Sequence, residues 1–317
     1  MATLGSGRFT YEVSGENWGA IPEDWTYKEA TAVSVDSKDN VYVFNRGGHS
    51  MIVFDSEGNI LRSWGEGVFS SPHGVTIGPD DSVYCADNGD HTVRKLTTEG
   101  KLLTTLGSAD RPALPMSGEP FNGPTHLAVD PRNGDLYVSD GYTNARVHKY
   151  TPDGKHLLSW GESGTDPGQF NIVHNIATDK EGWVYVADRE NRRVQVFDPK
   201  GRLEAVWNNF SKAACVYIDQ RGEQLAYVGE YYGGIGTNYK GTQLGPRVSI
   251  MDTQGNVLAR LGEQSYGDEP GRFYSPHGIA VDSKGDIYVA EVSWSEFGKN
   301  MDPPGDLRSM QKLVKKG

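Results

Sequence analysis

The chain has 317 residues, of which 36% are hydrophobic, with 40 glycines and a net charge of −11 from 31 basic and 42 acidic side chains. That charge disfavours nucleic acid and anionic membranes as partners, and no segment approaches the ~20 apolar residues of a membrane span. The opening MATLGSGRFT lacks a charged region followed by an apolar stretch, so no secretory signal is expected. The two cysteines, Cys85 and Cys215, read as small buried fillers and not as a disulfide. Together these features point to the cytoplasm.

In chain order, the first predicted element is a strand at GRFTYEV (7–13), similar to the later segments GKLLTTL (100–106) and GRLEAVW (201–207). A repeating unit follows. Its marker is a strand ending in a polar residue: VYVFN (41–45), VYCAD (83–87), LYVSD (136–140), VYVAD (184–188), AYVGE (226–230) and IYVAE (287–291). Each copy opens with an earlier strand and continues through two more, as in RVHKY-TPDG-KHLLSWG (146–161) and RVQVF-DPKG-RLEAVW (193–207). The connecting Asp, Pro and Gly residues supply tight reversals. Short alternating strands, four to a unit of about 40–60 residues, predict an all-β, six-bladed β-propeller formed as one domain over residues 1–317. The last copy ends at QKLVKKG (311–317) without a clear fourth strand, so the N-terminal strand is predicted to complete it.

Counting back 14 residues from Asp87, Asp188 and Glu291 lands on His73, His174 and His277. The same point in the other copies is Thr31, Thr125 and Ala214, allowing one extra residue in copy three and two in copy five. The histidines therefore occupy alternate copies and converge on the ring axis from three directions. Three imidazoles around one point suit Zn²⁺, with Fe²⁺, Mn²⁺ and Co²⁺ as alternatives, and leave an open coordination position of the catalytic kind. Among the other histidines, His91, His148 and His156 are expected in exposed outer strands or turns. His49 follows a glycine pair near the expected site, and His126 falls one residue past the ligand position.

The loops after the marker strands should share the channel mouth with the histidines. Asp87, Asp140 and Asp188 recur at one position and read as turn-stabilising acids. Arg46, Tyr142 and Arg189 are not required by the repeat. Beside a metal, the two arginines would form a carboxylate clamp and the tyrosine an acid or base. Two long excursions, residues 230–247 and 292–309, carry Tyr231, Tyr232, Trp294 and Phe297, aromatics that either roof the pocket or pack on the propeller face.

The ordered set SPHG (71–74), DGYTNAR (140–146), GQFNIVHNIA (168–177), VADRENRRVQVF (186–197) and SPHG (275–278) resembles the peptidyl-α-hydroxyglycine α-amidating lyases, six-bladed propellers of the NHL type. The resemblance runs roughly through residues 27–295. It implies Zn²⁺ held by His73, His174 and His277, Tyr142 as the catalytic base, and Arg46 and Arg189 on the substrate carboxylate. It also implies cleavage of a carbinolamide, N–CH(OH)–COO⁻, to an amide and glyoxylate.

Several positions depart from the family pattern. Gly278 stands where animal members carry an acid that helps hold a structural calcium, which argues against that ion here. Ser275 replaces a methionine, and Thr143 replaces a disulfide cysteine. A small N-acyl or N-substituted α-hydroxyglycine, or a different metal-activated compound, is the expected substrate class. The competing expectations are a metal-dependent hydrolase of an amide, ester or lactone on the same site, and a non-catalytic NHL interaction module. The sequence carries no sign of oligomeric state.

Overall fold

The computed structural model describes residues 2–14, 18–232, 245–262 and 266–316. Six antiparallel sheets stand around a common axis, one for each sequence repeat. The innermost strands are Ala30–Val35, Pro72–Ile77, Pro124–Val129, Val173–Thr178, Lys212–Ile218 and Pro276–Val281. The marker strands pair beside them: Val41–Asn45, Val83–Asp87, Leu136–Asp140, Val184–Asp188, Ala226–Tyr231 and Ile287–Glu291. The marker strands are buried throughout. Both of their faces pack on neighbouring blades, which is why they read as nearly continuous apolar runs.

The ring closes with the chain's two ends. Residues Tyr11–Val13 pair antiparallel with Met310–Lys315, and Thr3–Leu4 add a short strand outside them. The predicted strand over 7–13 is shorter than expected, because Gly7–Phe9 form a 3₁₀ turn. Leu4, Phe9, Tyr11 and Val13 are buried in the cluster that also holds Ile287, Val289 and Leu313. Closure of this kind removes an open sheet edge.

The recurring acids hold the inner strands in place. Asp87 accepts the backbone N–H of Ser70 and Ser71 at 2.6 and 2.8 Å, and Asp188 accepts that of Asn171 at 2.7 Å. Glu291 accepts those of Tyr274 and Ser275 at 2.6 and 3.1 Å. Each contact lies two or three residues before a ligand-position histidine, so the marker-strand carboxylate fixes where that histidine's strand begins.

His148 corrects one expectation. It lies on the third strand of its blade, Arg146–Tyr150, fully buried, with its ring between Ser159 Oγ at 2.7 Å and Asp140 at 3.3 Å. Its strand is covered at its edge by a fourth one, His156–Trp160, and its ring packs against Phe121, so a third-strand position is interior here. His156 is exposed and His91 partly so. Cys85 and Cys215 are free and buried.

Candidate metal centre

All six inner strands break register with their marker strand at the same step. The ladder jumps from Pro72 to Gly74, from Val173 to Asn175 and from Pro276 to Gly278. It also jumps from Ala30 to Ala32, from Pro124 to His126 and from Ala213 to Cys215. The skipped residues are His73, His174, His277, Thr31, Thr125 and Ala214. A β-bulge frees one residue from the ladder and re-aims its side chain. Here the bulge turns three imidazoles toward the axis.

Those rings form a nearly equilateral triangle, with centroids 4.9, 4.7 and 4.6 Å apart. One ligand nitrogen from each lies within 4.8 Å of the other two, and all three residues are buried. The remaining copies supply the second layer of the site. His73 Nδ1 donates to the carbonyl of Thr125 at 2.7 Å, His174 Nδ1 to that of Ala214 at 2.6 Å, and His277 Nδ1 to that of Thr31. Each Nδ1 carries the proton, so each Nε2 presents a lone pair to the centre. The protonation state agrees. Burial pushes the imidazoles of His73 and His174 well below their usual range and that of His277 to about 3, with Arg46 and Arg189 adding positive charge nearby. Three buried neutral imidazoles with fixed tautomers and no carboxylate among them fit a borderline divalent cation such as Zn²⁺.

The other sequence-predicted site residues gather around this triangle. Tyr142 Oη lies 3.1 Å from His73 Nε2 and 3.2 Å from His174 Nε2. Arg189 is largely buried, and its guanidinium stands 5.8 Å from the Tyr142 ring and 5.6 Å from the Tyr231 ring. Its Nε donates to Glu190 at 3.0 Å, and Glu190 in turn holds Lys212 at 2.9 Å. Among the described residues, no protein partner occupies its Nη1 and Nη2. Arg46 is more committed. Nη1 donates to the buried Glu29 at 2.6 Å and Nε to the Pro72 carbonyl at 3.2 Å. The two arginines are therefore unequal: Arg189 has a free fork, and Arg46 offers charge with one remaining edge.

Two contributors were not singled out by sequence reasoning as lining the site. Glu29 joins Arg46 to the blade-six excursion, accepting the N–H and hydroxyl of Ser295, both at 2.7 Å. Tyr231, expected only as a roof residue, lies beside the imidazoles, 6.3 Å from His174 and 6.1 Å from His277 by ring centroids. A signal for it was present. Arg46, Arg189, Tyr231 and Val292 each follow the final polar residue of a marker strand.

The other roof expectations fall elsewhere. Phe297 packs on Tyr266 and Tyr274 at 4.6 and 5.2 Å, Tyr232 faces Tyr266, and Trp294 stands under Lys28. Residues 233–244 of the first excursion lie outside the described residues. His49 stacks on Trp25 and bonds Glu66, away from the triangle. His126 lines a cavity of about 480 Å³ that begins one residue past the histidine level and runs to the far end of the inner strands.

Comparison with known proteins follows the same lines. The profile of the NHL repeat matches residues 69–96, 121–150 and 273–295. NHL repeat-containing protein 3 of Mus musculus is 37% identical over 286 residues, covering 84% of this chain and 78% of that protein. Peptidyl-alpha-hydroxyglycine alpha-amidating lyase 1 of Drosophila melanogaster is 31% identical over 312 residues, covering 83% of this chain and 55% of that protein. The chain spans about a third of the length of the curated peptidyl-glycine alpha-amidating monooxygenases that it also matches. A streptogramin B lyase structure superposes with a TM-score of 0.60 at 14% identity over 99% of this chain and 98% of that one, a likeness of fold. The chain belongs to the NHL-repeat family of β-propellers, and among its homologues are proteins named as peptidyl-α-hydroxyglycine α-amidating lyases.

Proposed function

We propose that this protein is a metal-dependent lyase that cleaves the C–N bond of a small N-substituted α-hydroxyglycine, releasing an amide and glyoxylate. The observation that carries the reading is the triangle of His73, His174 and His277, with Tyr142 Oη against two of its three donor nitrogens. The similarity to the amidating lyases supports it.

His73, His174 and His277 would hold the cation through Nε2. When bound, a divalent cation supplies Lewis acidity toward the hydroxyl and carboxylate oxygens of such a substrate. The free fork of Arg189 matches a carboxylate in two-pronged geometry. Arg46, anchored by Glu29, adds fixed positive charge on the side of His73 and His277. Tyr142 Oη is placed to take the proton of the substrate hydroxyl and return it to the departing nitrogen. The carbinol carbon–nitrogen bond breaks, its electron pair leaves with nitrogen, and the former hydroxyl oxygen becomes the aldehyde oxygen of glyoxylate.

The test is glyoxylate release from N-benzoyl-α-hydroxyglycine. Wild type should release glyoxylate and benzamide in equal amounts, and Tyr142→Phe should lower turnover by about 10²-fold or more while keeping its metal. A protein that hydrolyses simple esters or lactones but leaves the carbinolamide intact would overturn the reading in favour of a hydrolase.

A further inference from the structure

The three blades without a ligand histidine each send one side chain toward a gap between two imidazoles. Blade three sends Tyr142, which touches His73 and His174. Blade one sends Arg46, whose charge acts on both His73 and His277. Blade five sends Tyr231, whose ring faces His174 and His277. Arg189 stands between the two tyrosines, nearly equidistant from their rings at 5.8 and 5.6 Å. Tyr231 is thus placed as the counterpart of Tyr142 across the carboxylate-binding fork.

The two phenols differ in what they touch. Tyr142 Oη is within hydrogen-bond distance of two ligand nitrogens. The Tyr231 hydroxyl has no hydrogen-bond partner among the described residues, and the Arg189 guanidinium stands 5.6 Å from its ring. Its ring is fixed by packing on Ala214 and Val292, and its backbone carbonyl accepts the Ser211 hydroxyl at 2.5 Å. The ring is packed, and the hydroxyl is not used by a protein acceptor among the described residues.

We propose that Tyr231 is a second substrate-contacting phenol, which donates a hydrogen bond to the acyl oxygen of an N-acyl substrate. The assignment rests on the lyase reading above for the identity of that substrate. With the carboxylate on Arg189 and the hydroxyl toward Tyr142, the N-acyl arm extends to the Tyr231 side. As the C–N bond breaks, the electron pair passes to nitrogen and in part to the acyl oxygen. A donor already aimed at that oxygen strengthens its bond as charge develops there. Tyr142 then returns the hydroxyl proton to nitrogen, and the amide leaves neutral. The role makes Tyr231 specific for N-acyl over N-alkyl substituents, because only the former carries the acceptor.

Tyr231→Phe keeps the ring and removes the donor. Binding to the metal-loaded protein is measured by calorimetry with two probes that cannot react. N-acetylglycine carries the carboxylate and the acyl oxygen; glycolate carries the carboxylate and the hydroxyl only. The substitution should weaken N-acetylglycine about tenfold, the loss of one hydrogen bond, and glycolate less than twofold. Equal weakening of both probes, no weakening of either, or failure of N-acetylglycine to bind wild type would each overturn the assignment. In turnover, Tyr231→Phe should slow N-acyl substrates with poor leaving amides more than those with good ones; a uniform loss also counts against it. Selective binding without glyoxylate release in wild type would sink the lyase reading and leave Tyr231 as the acyl-oxygen donor.

Discussion

A histidine in this molecule does what its neighbours' geometry allows. Those at 73, 174 and 277 are held neutral, with Nδ1 spent on a carbonyl and Nε2 free. His126, one residue past the same level in blade three, has its Nδ1 buried without a partner, and burial lowers its pKa to about 4. The folded state refuses a proton that the unfolded chain takes up near pH 6.5. Stability is therefore lost as pH falls from 6.5 toward 4 and is unaffected above that window. His126→Leu should lose less stability between pH 7 and pH 4.5 than wild type, as read from urea midpoints at the two pH values. Parallel losses would show that His126 is not responsible. The triangle itself was legible in the sequence, because the six copies share one phase and the histidines occupy alternate copies. The same phase, read one residue past the marker strand, also reaches Tyr231. The burial of His148 was not legible, since an outer-strand position becomes interior only through the partner that covers it.

At the scale of elements, the inner strands and the loops after the marker strands form the site, and one excursion is tied to it. Glu29 lies at the entry to the first inner strand. It receives Arg46 from the loop after Val41–Asn45 and Ser295 from the blade-six excursion, 266 residues away in sequence. No local pattern in the chain announces that contact; only ring closure brings blade six against blade one. A charge-assisted bond of this kind is worth about 1.5–3 kcal/mol, and without the carboxylate Arg46 keeps only its bond to the Pro72 carbonyl. Glu29→Gln should lower kcat/KM for a carboxylate-bearing substrate about tenfold or more, mainly through KM, with metal content unchanged. A loss of metal in that variant would mean that Glu29 supports the triangle and not Arg46. Strand boundaries such as Arg146–Tyr150 and Arg193–Phe197 agree with the segments read from the sequence, because the tight turns TPDG and DPKG follow them.

For the whole molecule, the decisive feature is that the ring is sealed by its own ends. Tyr11–Val13 supply the fourth strand of the last blade, and that blade carries His277. Leu4, Phe9, Tyr11 and Val13 are all buried there, each apolar side chain of this kind contributing about 1.5–3 kcal/mol. Removing residues 1–14 should therefore lower the melting temperature by well over 10 °C and loosen the metal site with it. An unchanged melting temperature would refute the closure. The similarity of GRFTYEV to the outer strands revealed this seal in advance, although the 3₁₀ turn at Gly7–Phe9 was not visible in an apolar–polar alternation. The test closest to the centre of the account is metal analysis of the purified protein beside its His73→Ala/His174→Ala/His277→Ala variant. One divalent transition-metal ion per chain in wild type, and none in a variant that still folds, is the predicted result. No stoichiometric ion in wild type after equilibration with Zn²⁺, or an ion kept by the variant, would contradict it.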